Sequence, residues 1–359
     1  MLNIQISPPD AAAMDAAKAR QDSLAKPPHS LGKLEDISVK LAGITGQLYN
    51  PMEKRRVLIF ASDNGIAHEG VASAPQSVTL AQTINFTRGL TGVAVLAKHF
   101  HAELDVMDVG IDADFVQPGV RNCKIAHGTR NFAKAPAMSR EQCLRAMDIG
   151  VEAARRAKSD GMQVIGIGEM GIGNTSTSSA VLSVLLNLPA VETVSRGGGI
   201  NDESYRRKVF LIDDAIARYR PDPADPIDVI AKVGGFDIAA MCGAFLGAAA
   251  ERLPVVIDGF ISAVAALCAF QIEPLVSAYM FASHASREKG YQLAMDAMNL
   301  QPMLNLDMRL GEGSGCPIAF EIMAAAESVI EHMGTFAQAA INDDYLAEIR
   351  PNKRFLGEA

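Results

Sequence analysis

One carboxylate stands among three glycines in the C-terminal part of the sequence. Glu312 lies in segment 308–315, MRLGEGSG, just before a predicted long apolar helix. Glycines beside a side chain let the backbone turn tightly, or let a ligand approach closely. The pattern therefore predicts that Glu312 is presented to a ligand. The alternative, a glycine-rich loop whose Glu merely lies near the N-terminus of the next helix, stays open.

A second glycine-rich segment, residues 168–176 (GEMGIGNTS), leaves a predicted strand and enters a predicted helix. Backbone N–H groups at such a junction suit a phosphate or carboxylate oxygen. The segment has no Gly-Lys-Ser/Thr as in a P-loop and no GxGxxG. An anion site and a turn required only for packing are both consistent with it.

A third segment, residues 195–201 (SRGGGIN), precedes a predicted helix that carries three consecutive cations. These are Arg206, Arg207 and Lys208. We expect one of them to turn inward towards an anion, and the other two to lie in solvent. Together the three segments favour an α/β enzyme with an anionic substrate.

Four predicted strands end in a carboxylate beside glycine: Asp63, Asp112, Glu169 and Asp258. Open α/β sheets place their ligands at these strand ends, where a metal hydrolase would also gather carboxylates. However, the sequence has no HExxH motif, and its seven histidines form no pair at ligand spacing. We therefore expect no metal site.

Alternating apolar and amphipathic segments predict the fold. Strands are expected at 57–61, 104–109, 163–167, 254–257, 277–282 and 304–308, and helices at 8–25, 33–45, 76–88, 92–101, 140–158, 176–186, 204–218 and 236–251. This order indicates a mostly parallel α/β sheet covered by helices on both faces. We expect residues 1–50 and 325–359 to form a small helical lobe, and residues 51–324 to form a large α/β domain that carries the active site.

Composition excludes several classes of protein. Of 359 residues, 49% are hydrophobic and 21% charged, which suffices for a sizeable core, and the net charge of −8 argues against a general nucleic-acid binder. Five cysteines without a CxxC pair fit a reducing cytoplasm. We see no signal-peptide pattern at the N-terminus, and charges interrupt the most apolar stretch, 236–272, so no membrane span is expected.

Read in order, the motifs resemble those of one family. They are KPPHSLGKLE at 26–35, EGV at 69–71 with Pro75, Val78, Thr79 and Gln82, GEMGIGNT at 168–175, GGFDIAAM at 234–241, DGF at 258–260 and RLGEGSG at 309–315. From about residue 10 to 340 the chain resembles the nicotinate-nucleotide:dimethylbenzimidazole phosphoribosyltransferases of cobalamin lower-ligand synthesis. The last three motifs are the most specific.

The resemblance implies transfer of ribose 5-phosphate from nicotinate mononucleotide to a base, with release of nicotinate. It implies that Glu312 is the general base and that Glu169 and Lys208 hold the reacting ribosyl phosphate, which the glycine turns at 171–173 and 197–199 would face. A carboxylate base suits an acceptor nitrogen or hydroxyl, and a nearby carboxylate stabilises a positive glycosyl centre. Nicotinate leaves from a cationic pyridinium without a proton, so neither metal nor cofactor is expected.

The same resemblance implies further contacts. The expected substrate-binding residues, besides Glu169 and Lys208, are Met170, Gly171, Gly173, Asn174, Gly197, Gly198, Gly199, Asn64, Ala74, Gln82, Asp258 and Leu310. It also implies a dimer with active sites near the interface, made of two copies or of this chain and a homologue. The other expected partners are small molecules, with no nucleic acid or membrane.

Departures from the family pattern concern the acceptor. Family members commonly have Asp-His-Gly where this chain has Asn64 in the middle position, and Ser, Phe or Tyr where it has Ala74. Segment 195–201 also differs from the commoner Gly-Arg-Gly-Thr-Gly form. Since some relatives activate phenol or p-cresol as pairs of homologous chains, we expect p-cresol to be accepted as well as dimethylbenzimidazole. A catalytically silent subunit that supports a paralogue is the remaining alternative.

Overall fold

The computed structural model describes residues 4–196 and 199–346. The strands in these residues are β1 Arg55–Ser62, β2 Ala102–Gly110, β3 Val120–Asn122, β4 Val164–Met170, β5 Val255–Ile257 and β6 Met280–Ala282. They form one parallel sheet in the order β3-β2-β1-β4-β5-β6. All residues of β1, β4, β5 and β6 are buried, as in a sheet covered on both faces.

The helices of the described chain surround this sheet. They are α1 Ala11–Ser23, α2 Lys33–Thr45, α3 Ser77–Thr87, α4 Gly92–His99, α5 Arg140–Ser159, α6 Asn174–Leu186, α7 Ala190–Thr193, α8 Asp202–Tyr219, α9 Pro226–Val233, α10 Phe236–Ala250, α11 Phe260–Ile272, α12 Lys289–Met298 and α13 Cys316–His332. Helices α10 and α13 both pack on β1, β4 and β5, and α5 packs along α10.

The strand order fixes where a ligand can enter. The chain passes from β1 outward to β2 and β3, and then returns to β4 on the other side of β1. The loops after β1 and β4 therefore diverge and leave a crevice at the carboxyl ends of the strands, where open α/β sheets bind their ligands. The segments after Ser62 and Met170 border this crevice.

The predicted fold class is confirmed, and most predicted elements are present. The strand predicted at 304–308 is wrong: Leu304 makes one isolated bridge to His284, and the residues after it form no strand. Leu306, in the middle of this segment, is 51% exposed, whereas a strand inside this sheet would be covered on both faces. The short β3 and helices α7, α9, α11 and α12 were not predicted.

The N-terminal helices and the end of α13 pack together. Helices α1, α2 and α13 contact one another around Ala17, Ala42 and Ile330. Helix α13 also packs on the sheet, so the predicted boundary at residue 325 falls inside a helix, and the division into lobe and large domain stays a prediction. Residues 347–359, assigned to the lobe, lie outside the described residues.

Within those described, we find no helix of the length and apolar character that a membrane span requires.

Glu327 gives the lobe a pH dependence that can be measured. Its Oε2 accepts the Asn50 N–H at 2.8 Å, and burial raises the pKa of Glu327 to about 7. Between about pH 4.5 and pH 7, Glu327 is therefore protonated in the folded state and ionised in the unfolded state. Proton binding stabilises the folded state at low pH, and this stabilisation is lost as the pH rises from about 4.5 to about 7. Glu327→Gln should show a smaller loss in the free energy of unfolding between pH 4.5 and 7.5 by urea denaturation. An unchanged pH slope would contradict this assignment.

Candidate active site

The turn that carries Glu312 has a left-handed backbone. Gly311, Glu312 and Gly313 have φ of 81°, 65° and 87°. A Cβ on Gly311 would lie 2.5 Å from Glu169 Oε1, and one on Gly313 would lie 2.7 Å from Val57 Cγ1, so both positions need glycine. Glu312 itself pays about 1–2 kcal/mol for this conformation. Such strain persists only where the surroundings hold the residue in place.

Two carboxylates from adjacent strands hold this turn. The Glu312 N–H donates to Glu169 Oε1 at 3.2 Å, and the N–H groups of Gly313 and Gly315 donate to Asp258 at 3.0 and 2.7 Å. Glu169 lies in β4, and Asp258 directly follows β5. The acids at the strand ends therefore bind the backbone that presents Glu312. Sequence reasoning expected both to contact substrate, and it did not foresee this anchoring.

The Glu312 carboxylate is oriented by two donors. Its Oε1 accepts from Gln82 Nε2 at 2.8 Å, and its Oε2 accepts from the Val93 N–H at 3.4 Å. Val93 lies in the first turn of α4, where the helix dipole favours an anion. Glu312 is 5% exposed and borders a cavity. It is thus a fixed, nearly dry carboxylate that faces the place where a ligand would lie.

Glu169 belongs to a buried acidic cluster. Its Oε2 accepts from Asn174 Nδ2, which also donates to Asp237 Oδ2 at 3.2 Å. Burial, reinforced by the charge of Asp237, raises the pKa of Glu169 to about 8, and burial raises that of Asp237 to about 6. At neutral pH Glu169 therefore holds its proton. Asp237 lies inside the GGFDIAAM motif, but sequence reasoning gave it no role.

Lys208 is the inward-facing cation of the three consecutive ones. It is 1% exposed, and its Nζ donates to Thr175 Oγ1 at 2.8 Å, whereas Arg206 and Arg207 are exposed. Burial lowers the pKa of Lys208 to about 8. Thr175 is the second residue of α6, which begins after Gly173. A buried ammonium beside a helix N-terminus is a suitable site for a phosphate.

A cavity of about 340 Å³ connects Glu312 and Glu169 with Thr175, the residue that accepts the hydrogen bond of Lys208; Lys208 itself does not line it. Among the predicted site residues it is lined by Gln82, Glu169, Met170, Gly171, Asn174, Asp258, Leu310 and Glu312, and it also contacts Thr175. Helices α6 and α11 both begin beside it, and no described side chain caps either N-terminus. Sequence reasoning missed His284 and Glu288, which also line it. The described residues contain no group of three or more His, Cys, Asp or Glu placed to hold a metal ion.

Asn64 and Ala74 are not among the residues that line the cavity with Glu312. Ala74 lines a neighbouring pocket of about 150 Å³ with Gly173 and Arg196, and this pocket shares Gly171 and Asn174 with the cavity. Asn64 is fully buried against the turn at 171–173, and a Cβ on Gly171 would lie 2.9 Å from its Nδ2. That these two residues surround the acceptor stays a prediction.

In the third glycine segment, the structure describes residues 195–196 and 199–201. Gly199 has a φ of 110° and lies two residues before Asn201, which caps α8. Gly197 and Gly198, expected to contact phosphate, lie outside the described residues. Arg196, just before them, donates to Ile200 O at 3.0 Å and lines the pocket that contains Ala74.

The chain is similar to known proteins over most of its length. A family profile described as Phosphoribosyltransferase matches residues 6–341. A nicotinate-nucleotide–dimethylbenzimidazole phosphoribosyltransferase of Clostridium perfringens is 52% identical over 340 residues, covering 95% of this chain and 94% of its own. One from Geotalea uraniireducens is 46% identical over 338 residues, covering 94% and 96%.

The fold comparison agrees with the sequence comparison. The crystal structure of CobT from Thermus thermophilus superposes with a TM-score of 0.89 at 37% identity, covering 92% of this chain and 99% of that one. The family profile, the sequence relatives and the fold all indicate the same family. The chain therefore belongs to the nicotinate-nucleotide–dimethylbenzimidazole phosphoribosyltransferase family.

Proposed function

We propose that the protein transfers ribose 5-phosphate from nicotinate mononucleotide to dimethylbenzimidazole in this cavity, with Glu312 as the general base. The observation that carries this proposal is the turn at 311–313, which holds a strained, nearly dry carboxylate at the wall of the cavity. The family and its named relatives support the same reaction. The products are the α-riboside phosphate and nicotinate.

The chemistry needs one base and one anion site. An acceptor nitrogen bonds to C1′ of the ribose, and the bond from C1′ to the pyridinium nitrogen breaks with its electron pair going to nicotinate. The acceptor's N–H proton passes to Glu312, whose carboxylate is held by Gln82 and Val93. Fixed donors that need no reorganisation during the reaction keep this base in position.

The donor nucleotide carries a negative phosphate, so it requires a cationic site in addition to the base. Lys208, the Thr175 hydroxyl and the uncapped start of α6 form an anion site that suits the 5′-phosphate. Glu169, in its neutral form, adds no negative charge beside that anion and can donate a hydrogen bond to a ribosyl oxygen. The two carboxyl groups thus have different roles because their environments differ.

The acceptor is a benzimidazole in this proposal, and phenols are the weaker substrates. The cavity wall near Glu312 includes Val78, Ile172 and Leu310, which suit a flat apolar ring. A phenol hydroxyl has a pKa near 10 and is a poor nucleophile until deprotonated, whereas a benzimidazole offers a free nitrogen lone pair. With equal donor concentrations, kcat/KM for dimethylbenzimidazole should exceed that for p-cresol by roughly 10- to 200-fold, the range that one specific contact provides.

The same comparison of the two acceptors tests the alternative that phenols are the natural substrates. Equal or higher kcat/KM with p-cresol would overturn the benzimidazole assignment and restore phenols as the substrates. Ala74→Tyr serves as the matched variant, since Ala74 lies in the smaller pocket and not in the cavity with Glu312. It should leave the ratio between the two acceptors unchanged.

We further propose that the protein acts as a homodimer in the cytoplasm. Leu90 and Leu310 are 62% and 58% exposed, and Leu310 lies at the cavity wall, so a second copy would cover apolar surface beside the site. All five cysteines are free, as a reducing compartment favours. Sedimentation equilibrium at micromolar concentration should give twice the mass of the chain. A monomer mass would refute the dimer.

A further inference from the structure

Asp237 is a buried carboxylate to which the proposed reaction gives no role. It is 0% exposed and lies in the first turn of α10. Its carboxylate accepts from the Ile238 N–H at 3.0 Å and from Asn174 Nδ2 at 3.2 Å. The side-chain amide of Asn64 lies close by: Asn64 Nδ2 and Asp237 Oδ2 would both be 2.9 Å from a Cβ on Gly171. A fully buried carboxylate is costly unless donors satisfy it, and here the side-chain donor is a neutral amide.

Asn174 connects this carboxylate to the catalytic turn. Its Nδ2 carries two hydrogens, one for Asp237 Oδ2 and one for Glu169 Oε2. The other oxygen of Glu169 accepts the N–H of Glu312. Asp237, Asn174 and Glu169 therefore form one continuous chain of hydrogen bonds that ends on the backbone of the general base.

We propose that Asp237 is a positioning residue, which orients Glu169 through the shared amide of Asn174 and favours the neutral form of the Glu169 carboxyl group. This inference rests on the proposed function, because it concerns the carboxyl group beside the donor. Asn64 lies beside Asp237 and is neutral, so it brings no positive charge to that carboxylate.

The surrounding charges favour this arrangement. The charged groups with the largest effect on Glu169 are Asp237 on α10 and Asp258 after β5. The turn at 311–313 donates the Glu312 N–H to Glu169 and carries the Glu312 carboxylate, which borders the same cavity. Burial raises the pKa of Glu169, and both neighbouring carboxylates raise it further. A cation beside Asp237 would weaken its effect on Glu169. An imidazole at position 64, common in the family, could supply one.

The first test reads the protonation of Glu169 without any turnover. The carboxyl carbon of glutamate is labelled with ¹³C, and the Glu169 signal is assigned by its loss in Glu169→Gln. In Asp237→Asn, the titration midpoint of Glu169 should fall by about one pH unit or more, because a like charge has been removed. An unchanged midpoint overturns the proposal, whether or not the protein catalyses transfer.

The second test measures how kcat depends on pH. Activity that needs neutral Glu169 should decline at alkaline pH, and in Asp237→Asn this decline in kcat should begin at lower pH. Asn64→His should shift it in the same direction and serves if Asp237→Asn does not fold. Asp148→Asn, an exposed acid on α5, is the control and should leave the profile unchanged.

The double variant separates positioning from general damage. In Glu169→Gln the carboxyl group is gone, so adding Asp237→Asn should not shift the pH profile further. A shift of equal size in both backgrounds would overturn the relay through Asn174. If the wild-type chain transferred no ribosyl phosphate, the proposed function would fail, but the titration of Glu169 would still decide the role of Asp237.

Discussion

Glu312→Gln should lower turnover by about 10²-fold or more while the protein stays folded. The amide has the same shape and keeps an oxygen for Gln82, so the turn and the cavity should be preserved. It cannot take the acceptor's proton, so the loss should appear in kcat far more than in either KM. Steady-state kinetics with nicotinate mononucleotide and dimethylbenzimidazole, with circular dichroism as the folding check, measure this.

The matched control is Glu331→Gln on the last turn of α13. Glu331 is exposed and belongs to the helix that follows the catalytic turn, so its replacement should leave kcat within about twofold, as for most surface changes. Near-normal turnover in Glu312→Gln would remove Glu312 from the role of base. The anchoring of its backbone by Glu169 and Asp258 would then need another explanation.

Lys208→Ala should raise the KM for nicotinate mononucleotide by roughly 10- to 100-fold, the worth of one charge-assisted hydrogen bond of about 1.5–3 kcal/mol. The ammonium is buried beside Thr175 at the start of α6, where the 5′-phosphate is proposed to bind. The KM for dimethylbenzimidazole should change little, since Lys208 does not line the cavity beside Glu312. Initial rates with each substrate varied in turn separate the two effects.

Arg206→Ala is the control for this prediction. Arg206 lies two residues earlier on α8 and is exposed, so its removal changes the net charge equally without touching the site. An equal rise in the KM of both substrates in Lys208→Ala, or no rise, would contradict the phosphate assignment. An effect of Arg206→Ala as large as that of Lys208→Ala would show that long-range charge alone is responsible.

Much of the fold follows from local patterns. The continuous apolar run within β1 and the prolines before α2 place those elements within a residue or two of the structure. Helix α11 is buried along nearly its whole length and therefore lacks the polar face that reveals a helix in a sequence. Strand β3 has three residues, too few for any periodicity.

The site was less accessible from sequence. The inward direction of Lys208 follows from helix periodicity, since Ile212 and Ala215 are the other buried residues of α8. The placement of Ala74 does not follow, because its side of the turn at 171–173 depends on how the loops after β1 and β4 pack. The role of Asp237 depends likewise on a contact across 63 positions of sequence.

The central claim is that this chain, by itself, transfers a phosphoribosyl group. The direct measurement incubates the purified chain alone with nicotinate mononucleotide and dimethylbenzimidazole, and quantifies free nicotinate and the α-riboside phosphate by chromatography. We expect both products to appear in equal amounts over many turnovers, and neither to appear without the acceptor. Absence of product with the chain alone, and its appearance only when a homologous chain is added, would show that the chain is a supporting subunit and does not catalyse the transfer by itself.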